Sequence, residues 1–152
     1  ISISEIENGV SKRLSERLSV TPILVPHRDE FSETVGFRIR SQKKSLIFIP
    51  DIDKWQKWNK RLSDVVKAND FVFVDATFFA EGEIPRPMSE VPHPFVSETM
   101  SILKHLSIEQ KNKVHFIHFN HSNPLVQRNK EKMQLVKRSG FKVAKTGQIV
   151  KL

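Results

Sequence analysis

The sequence predicts an α/β (α+β) chain: one mixed β-sheet with helices on one face. Two observations predict this. Residues 3–49 read as strands joined by polar turns, a β-meander. Beyond them, the apolar runs Leu46-Ile47-Phe48-Ile49, Phe71-Val72-Phe73-Val74 and Val114-His115-Phe116-Ile117 are separated by segments of helical periodicity, the order expected of parallel strands joined by crossovers. Those runs are apolar on both sides, so each strand needs cover on two faces. The chain holds too few further elements to supply the second layer.

Element by element, Ser2 to Ile6 alternates polar and apolar residues before Asn8-Gly9, a strong hairpin-turn pair. Residues 10–14 read as the returning strand, with a short helix over 11–18 as the competing choice. Residues 18–26 carry β-branched strand formers, and 28–33 form a polar loop. Residues 34–39 alternate cleanly, 41–44 turn, and 45–49 pair back. Asp53 can cap a helix over 54–67, in which Trp55, Trp58, Leu62, Val65 and Val66 recur at helical spacing. A strand over 71–74 precedes a long loop rich in proline, then a helix over 97–106 and a strand over 114–119. A basic helix over 130–139 stops at Gly140, and 141–144 and 149–152 close the sheet as short strands. No internal repeat appears, and residues 1–152 read as a single unit.

The longest apolar runs are four or five residues, far below the roughly 20 that span a bilayer. The chain shows no signal-peptide pattern, and its start at Ile1 suggests a processed or partial chain. It has no cysteine, which excludes disulfides and thiolate metal sites and fits a cytoplasmic location. A metal must therefore use His, Asp, Glu or backbone oxygen. A formal charge of +8 points to phosphate esters or nucleic acid as partners, or simply to a solvated basic surface.

Several apolar runs finish on a residue able to bind a metal. Ile23-Leu24-Val25-Pro26 leads to His27, Leu46 to Pro50 leads to Asp51, Phe71 to Val74 leads to Asp75, and Val114 to Ile117 leads to His118. Strand ends are rigid, and groups leaving them can meet at one point. Taken singly, each has a bland reading: a lone His is more often structural, and Asp51 could cap the next helix. Asp53 is better placed for that cap, leaving Asp51 free. Asp75 could be a ligand, a proton carrier or the acceptor that orients a neighbouring His. His93, between Pro92 and Pro94, could act as acid or base. His105 and His115 read as surface residues. His-x-His, P-loop, Gly-x-Ser-x-Gly and glycine-rich nucleotide signatures are all lacking.

Residues 25–37 resemble the third metal motif of the metallo-β-lactamase family, Ile49-Pro50-Asp51-Ile52-Asp53 the fourth, and His118-Phe119 the fifth. Val74-Asp75-Ala76-Thr77-Phe78 is similar to the His-Glu-Ala-Thr-Phe segment of ribonuclease Z relatives. Pro92-His93-Pro94 and residues 117–124 resemble most the branch that includes pyrroloquinoline quinone biosynthesis protein B. The family's His-x-His-x-Asp-His motif lies upstream of all these, and this chain lacks it. The resemblance thus implies the C-terminal half of an αββα sandwich, with the N-terminal half missing.

The resemblance further implies a metal site of His27, Asp51 and His118, with Asp51 bridging two zinc ions in the intact protein; iron or manganese could substitute. Binding by this chain alone is expected to be partial or absent. It implies a metallohydrolase in which a metal-bound hydroxide attacks a phosphodiester or other ester or amide, with catalytic Asp75 and His93 relaying a proton. The fragment itself is expected to be inactive. Two alternatives are an iron-dependent oxidoreductase of the quinone-biosynthesis type and a non-catalytic basic module that binds nucleic acid. The expected partners are the missing N-terminal half or a second copy over the open sheet face, and a small anionic substrate; no membrane is expected.

Overall fold

The computed structural model describes residues 3–85, 87 and 90–152. Seven strands form one sheet in chain order: β1 (Lys12–Arg13), β2 (Ser19–Leu24), β3 (Val35–Arg40), β4 (Ser45–Ile49), β5 (Phe71–Asp75), β6 (Val114–Ile117) and β7 (Lys142–Val143). Pairs up to β3–β4 are antiparallel, and those from β4–β5 onward are parallel. The expected meander followed by crossovers is therefore present.

The parallel part needs crossovers, and these hold the helices α1 (Leu62–Lys67), α2 (Val96–Ile102), α3 (Ile108–Lys111) and α4 (Lys130–Arg138). All three crossovers step in the same direction across the sheet. Right-handed connections then place every helix on one face. Alternation along the strands points Ile47, Ile49, Val72, Val74, Val114 and Phe116 at that face, and all six are fully buried. They pack with Leu62, Val65, Val66, Leu103 and Val136 in one core. Each such burial contributes about 1.5–3 kcal/mol before entropy is counted.

The opposite face carries a row in register across four strands, Phe37–Phe48–Phe73–His115. Phe48 remains 38% exposed there. His115, read from the sequence as a surface residue, is instead 5% exposed and stacks on Phe73 at 4.7 Å between ring centres. Its place in the strand's alternation was legible, but the aromatic neighbour comes from β5.

Other expectations shift. Asn8-Gly9 does turn, with Gly9 N–H donating to the Pro22 carbonyl and Asn8 Oδ1 accepting from Leu24 N–H. No strand precedes it among the described residues, where Ile3 stays 91% exposed; Ser2 lies outside the described residues. The helix expected over 54–67 is broken into a 3₁₀ turn (Trp55–Lys57) and α1. Trp58 adopts extended backbone, and the two buried indoles find separate acceptors: Trp55 Nε1 donates to Thr99 Oγ1 at 2.8 Å and Trp58 Nε1 to the Leu24 carbonyl at 3.0 Å. A buried indole N–H without an acceptor is costly, and one continuous helix would aim both rings the same way. The helix expected over 97–106 ends at Ile102, and α3 follows it. Residues 149–152 form no strand.

Gly36 lets β3 approach β4 closely. A Cβ there would meet Ile49 Cγ1 at 2.9 Å and the Phe48 carbonyl oxygen at 3.0 Å, and the second is backbone that cannot rotate away. Gly36→Ala is expected to lower stability by about 1–3 kcal/mol, read as a fall in the urea midpoint. A second expectation concerns pH. Burial, and then the Lys142 charge, push the His115 imidazole down to about 4. The unfolded chain takes up this proton near pH 6.5 and the folded chain does not, so stability falls as pH drops from about 6.5 to 4 and levels off below. Urea midpoints measured across that range should show the slope, and His115→Gln should flatten it.

Candidate metal centre

Strands β4, β5 and β6 run the same way, and β2, antiparallel to β3, runs with them. Residues just beyond their C-terminal ends therefore emerge at one edge, where open α/β sheets place their ligands. Asp51 follows β4, Asp75 closes β5, His118 follows β6 and His27 lies three residues past β2. The Asp53 N–H donates to the Pro26 carbonyl at 2.7 Å and ties the loops after β2 and β4 together. His93 arrives from the loop between β5 and α2. That loop is fastened where Val96 and Ser97 donate to the carbonyls of Phe78 and Phe79. Lys54 Nζ holds Glu98 at 3.0 Å and lies 3.7 Å from the Phe95 ring centre.

The structure brings all five sequence-derived candidates together. Asp51, Asp75, His93 and His118 each offer a ligand atom within 4.8 Å of the others. His27 joins through Asp51, Nε2 to Oδ1 at 3.3 Å, and its ring lies 5.3 Å from that of His93. His121, also near the end of β6, is exposed and stands outside this group.

Strand alternation would send His118 to the helix face with Phe116. His118 instead has φ 58°, a left-handed backbone that a non-glycine residue adopts at a cost. That turn carries the imidazole across to Asp75. The following loop holds it: Asn120 N–H donates to the Thr77 carbonyl at 2.9 Å, and the buried Asn123 Nδ2 donates to the Ala76 carbonyl at 2.8 Å. Ser122 donates to Glu83 at 2.7 Å, linking this loop to the one that carries His93.

Asp75 is fully buried. Its carboxylate accepts from the backbone N–H of Ile52 at 3.2 Å and of Thr77 at 2.8 Å, and from the Thr77 hydroxyl at 2.7 Å. His93 Nδ1 lies 2.8 Å from Oδ2. These contacts assign the protons. A carboxylate only accepts, so His93 Nδ1 carries its hydrogen. The Thr77 hydroxyl has spent its one hydrogen on Asp75, so at 3.1 Å it accepts from His118 Nδ1. When neutral, each ring then keeps its lone pair on Nε2, the form in which an imidazole ligates metal or takes a proton. Burial pushes the Asp75 carboxyl up, but bonding to His118, His93 and Thr77 and the His93 charge outweigh it, and the group is held below the usual carboxylate range. The Asp75 carboxylate, 3.6 Å from His118 Nδ1, raises the His118 imidazole against the opposing effect of burial, with the Asp51 charge helping.

Two atoms of the site, Asp51 Oδ1 and His27 Nδ1, are shielded from solvent and find no hydrogen-bond partner among the described residues. His27 Nε2 and His93 Nδ1 stand 3.3 and 3.4 Å from the Asp51 oxygen. The Asp51 side chain is 33% exposed, so its charge stays partly solvated, but the shielded oxygen facing the imidazoles has an acceptor site open to a cation. An all-His/Asp donor set around such an oxygen fits a divalent metal of the zinc or iron type. A cavity of about 170 Å³, lined by His27, Arg28, Thr77, Phe78, Pro92 and His93, opens beside the cluster.

Sequence reasoning did not single out Thr77. The signal was present as Asp75-x-Thr77 after a strand, since an Asp at a strand end commonly bonds the N–H two residues on. That the hydroxyl also accepts from His118 depends on a loop distant in sequence.

The family model described as the beta-lactamase superfamily domain matches residues 1–119. The coenzyme PQQ synthesis protein B of Gluconobacter oxydans is 26% identical over 126 residues, 79% of this chain and 40% of that protein. Its namesake from Acinetobacter baumannii is 24% identical over 144 residues, 88% of this chain and 46% of that protein. The chain thus spans less than half the length of these relatives. Zn(2+)-bound PqqB from Methylobacterium extorquens shares the fold, with a TM-score of 0.75 at 20% identity over 97% of this chain and 51% of that one.

Thr77→Val should keep the shape of the site and remove the acceptor for His118 Nδ1–H. The expected result is a mixed His118 tautomer in proton–nitrogen correlation spectra. An unchanged tautomer would contradict the proton assignment.

Proposed function

This chain belongs to the beta-lactamase superfamily, and from that premise we propose that its five converging side chains are the larger part of a metal-dependent hydrolytic centre for a small anionic ester, with a phosphodiester as first choice. The observation that carries this reading is Asp51 Oδ1, shielded and unpartnered among imidazoles. On this reading His27, Asp51 and His118 hold the metal, with zinc as the favoured ion for nitrogen and carboxylate donors. When bound, the metal supplies positive charge that activates water and stabilises negative charge developing on the substrate.

The chain's own residues do the rest. Asp75 fixes the His93 ring and its tautomer, leaving Nε2 unprotonated and facing its surroundings as a base. His93 accepts a proton from the attacking water and returns it to the leaving oxygen; the positive charge it gains meanwhile is stabilised by Asp75. Thr77 keeps His118 in ligand form. Arg28 lines the adjoining cavity and offers a cation to an anionic substrate.

Two supplementary proposals follow from the same premise. Residues 1–152 form one layer of a two-layer sandwich, and the Phe37–Phe48–Phe73 face packs against the other layer, whether supplied by a longer chain or by a second copy. The shorter span of this chain relative to its relatives, and the partly exposed Phe48, support this. A second reading, an iron-dependent oxidoreductase serving coenzyme synthesis, draws support from the names of the relatives that match most of the chain.

Metal content and turnover of the complete sandwich separate the readings. Hydrolysis of bis(p-nitrophenyl) phosphate should vanish with a chelator and return with zinc. His93→Gln should lower kcat about 100-fold or more with little change in KM. Iron as the bound metal, with no hydrolysis in any metal form, would replace hydrolysis with the oxidoreductase reading. This chain by itself should bind zinc weakly by calorimetry; two tight sites per chain would contradict an incomplete ligand set.

A further inference from the structure

A second polar site lies on the helix face of the sheet, away from the metal cluster. Arg38 is in the middle of β3, in register with Thr21 on one side and Ile47 on the other. Ile47 is fully buried against the helices, so Arg38 points to the same face, towards α1. Its Nε–H is shielded from solvent and has no hydrogen-bond partner. Among the described residues no carboxylate lies within ion-pair distance of Arg38 or of Lys60. Backbone and side-chain N–H groups that water cannot reach are nearly always paired, so an orphaned guanidinium Nε–H calls for an explanation.

Arg38 borders a cavity of about 380 Å³, walled by Lys60, Arg61, Asp64 and Val65 from α1 and the residues before it. Arg61 and Asp64 neutralise one another at 2.7 Å. Arg38 and Lys60 are left as two uncompensated positive charges around one cavity. Burial, and then the like charge of Arg40, lower the Arg38 pKa, which is the mark of a cation without a counter-charge. The volume lies at the low end of the roughly 300–1,000 Å³ typical of small-ligand sites.

We propose that this cavity binds a phosphate-type oxyanion, with the Arg38 guanidinium edge as its anchor and Lys60 as the second cation. Arginine is suited to this because its Nε and one Nη present two parallel donors that match two oxygens of a phosphate. A small shift of the side chain turns the hidden edge towards the ligand and satisfies it. The site shares no residue with the metal cluster or its cavity, and it stands whether or not that cluster binds a metal.

Titration of the full chain with inorganic phosphate, followed by proton–nitrogen NMR, tests this. The expected result is a saturable shift of the Arg38 Nε–H and of the Lys60 and Arg61 amides, with a Kd on the order of 1 mM. Arg38→Gln should abolish it. Lys60→Gln, at an exposed position, leaves the sheet untouched and should weaken binding about fivefold. A short oligothymidylate distinguishes the sources of the phosphate. If it shifts the same resonances and competes, the ligand is a nucleic-acid backbone; if only inorganic phosphate binds, it is a small free phosphate. The proposal is overturned if phosphate moves no resonance of Arg38 in a saturable way, or if both variants bind it as the parent does.

Discussion

One carboxylate with no access to water organises the functional edge of this protein. Asp75 ends a central strand and is fully buried. An uncompensated charge there would cost several kcal/mol, more than most single contacts return. The chain surrounds it with the Ile52 and Thr77 amides, the Thr77 hydroxyl and two imidazoles. These donors come from three connections, with Ile52 after β4, Thr77 and His93 in the loop between β5 and α2, and His118 after β6. Satisfying one anion therefore fixes the relative positions of those three segments.

That constraint has a chemical consequence. Since Asp75 can only accept, every hydrogen around it is directed, and the direction passes through the Thr77 hydroxyl to His118. The histidines do not select their own tautomers; the buried anion selects for them. The left-handed backbone at His118 belongs to the same arrangement. A conformation that costs about 1 kcal/mol or more is retained because the contacts to Thr77 and Asp75, and the Asn120 and Asn123 bonds behind them, require it.

The two polar features of the molecule differ in kind. At the sheet edge an unpartnered oxygen, Asp51 Oδ1, lies among imidazoles and favours a cation. On the helix face an unpartnered nitrogen, Arg38 Nε, lies beside Lys60 and favours an anion. The net charge of +8 does not distinguish these environments, because only the sheet and its crossovers divide the charges between them.

Much of the architecture could be read from residue order. Alternation and turn chemistry marked the meander, and apolar runs separated by helical spacing marked the parallel strands. Four apolar runs ending on His27, Asp51, Asp75 and His118 suggested that these groups could meet, and the family resemblance implied a metal site for His27, Asp51 and His118. Periodicity reports which side of its own element a residue occupies, and that is a local property. It carries no information about which distant side chain stands opposite. The stacking of His115 on Phe73, the division of the helix over 54–67 by two indoles seeking different acceptors, and the link from Asp75 through Thr77 to His118 all depend on register and loop closure. Those were decided by the tertiary structure, because each one satisfies a buried polar or aromatic group with a partner that the chain delivers only once it has folded.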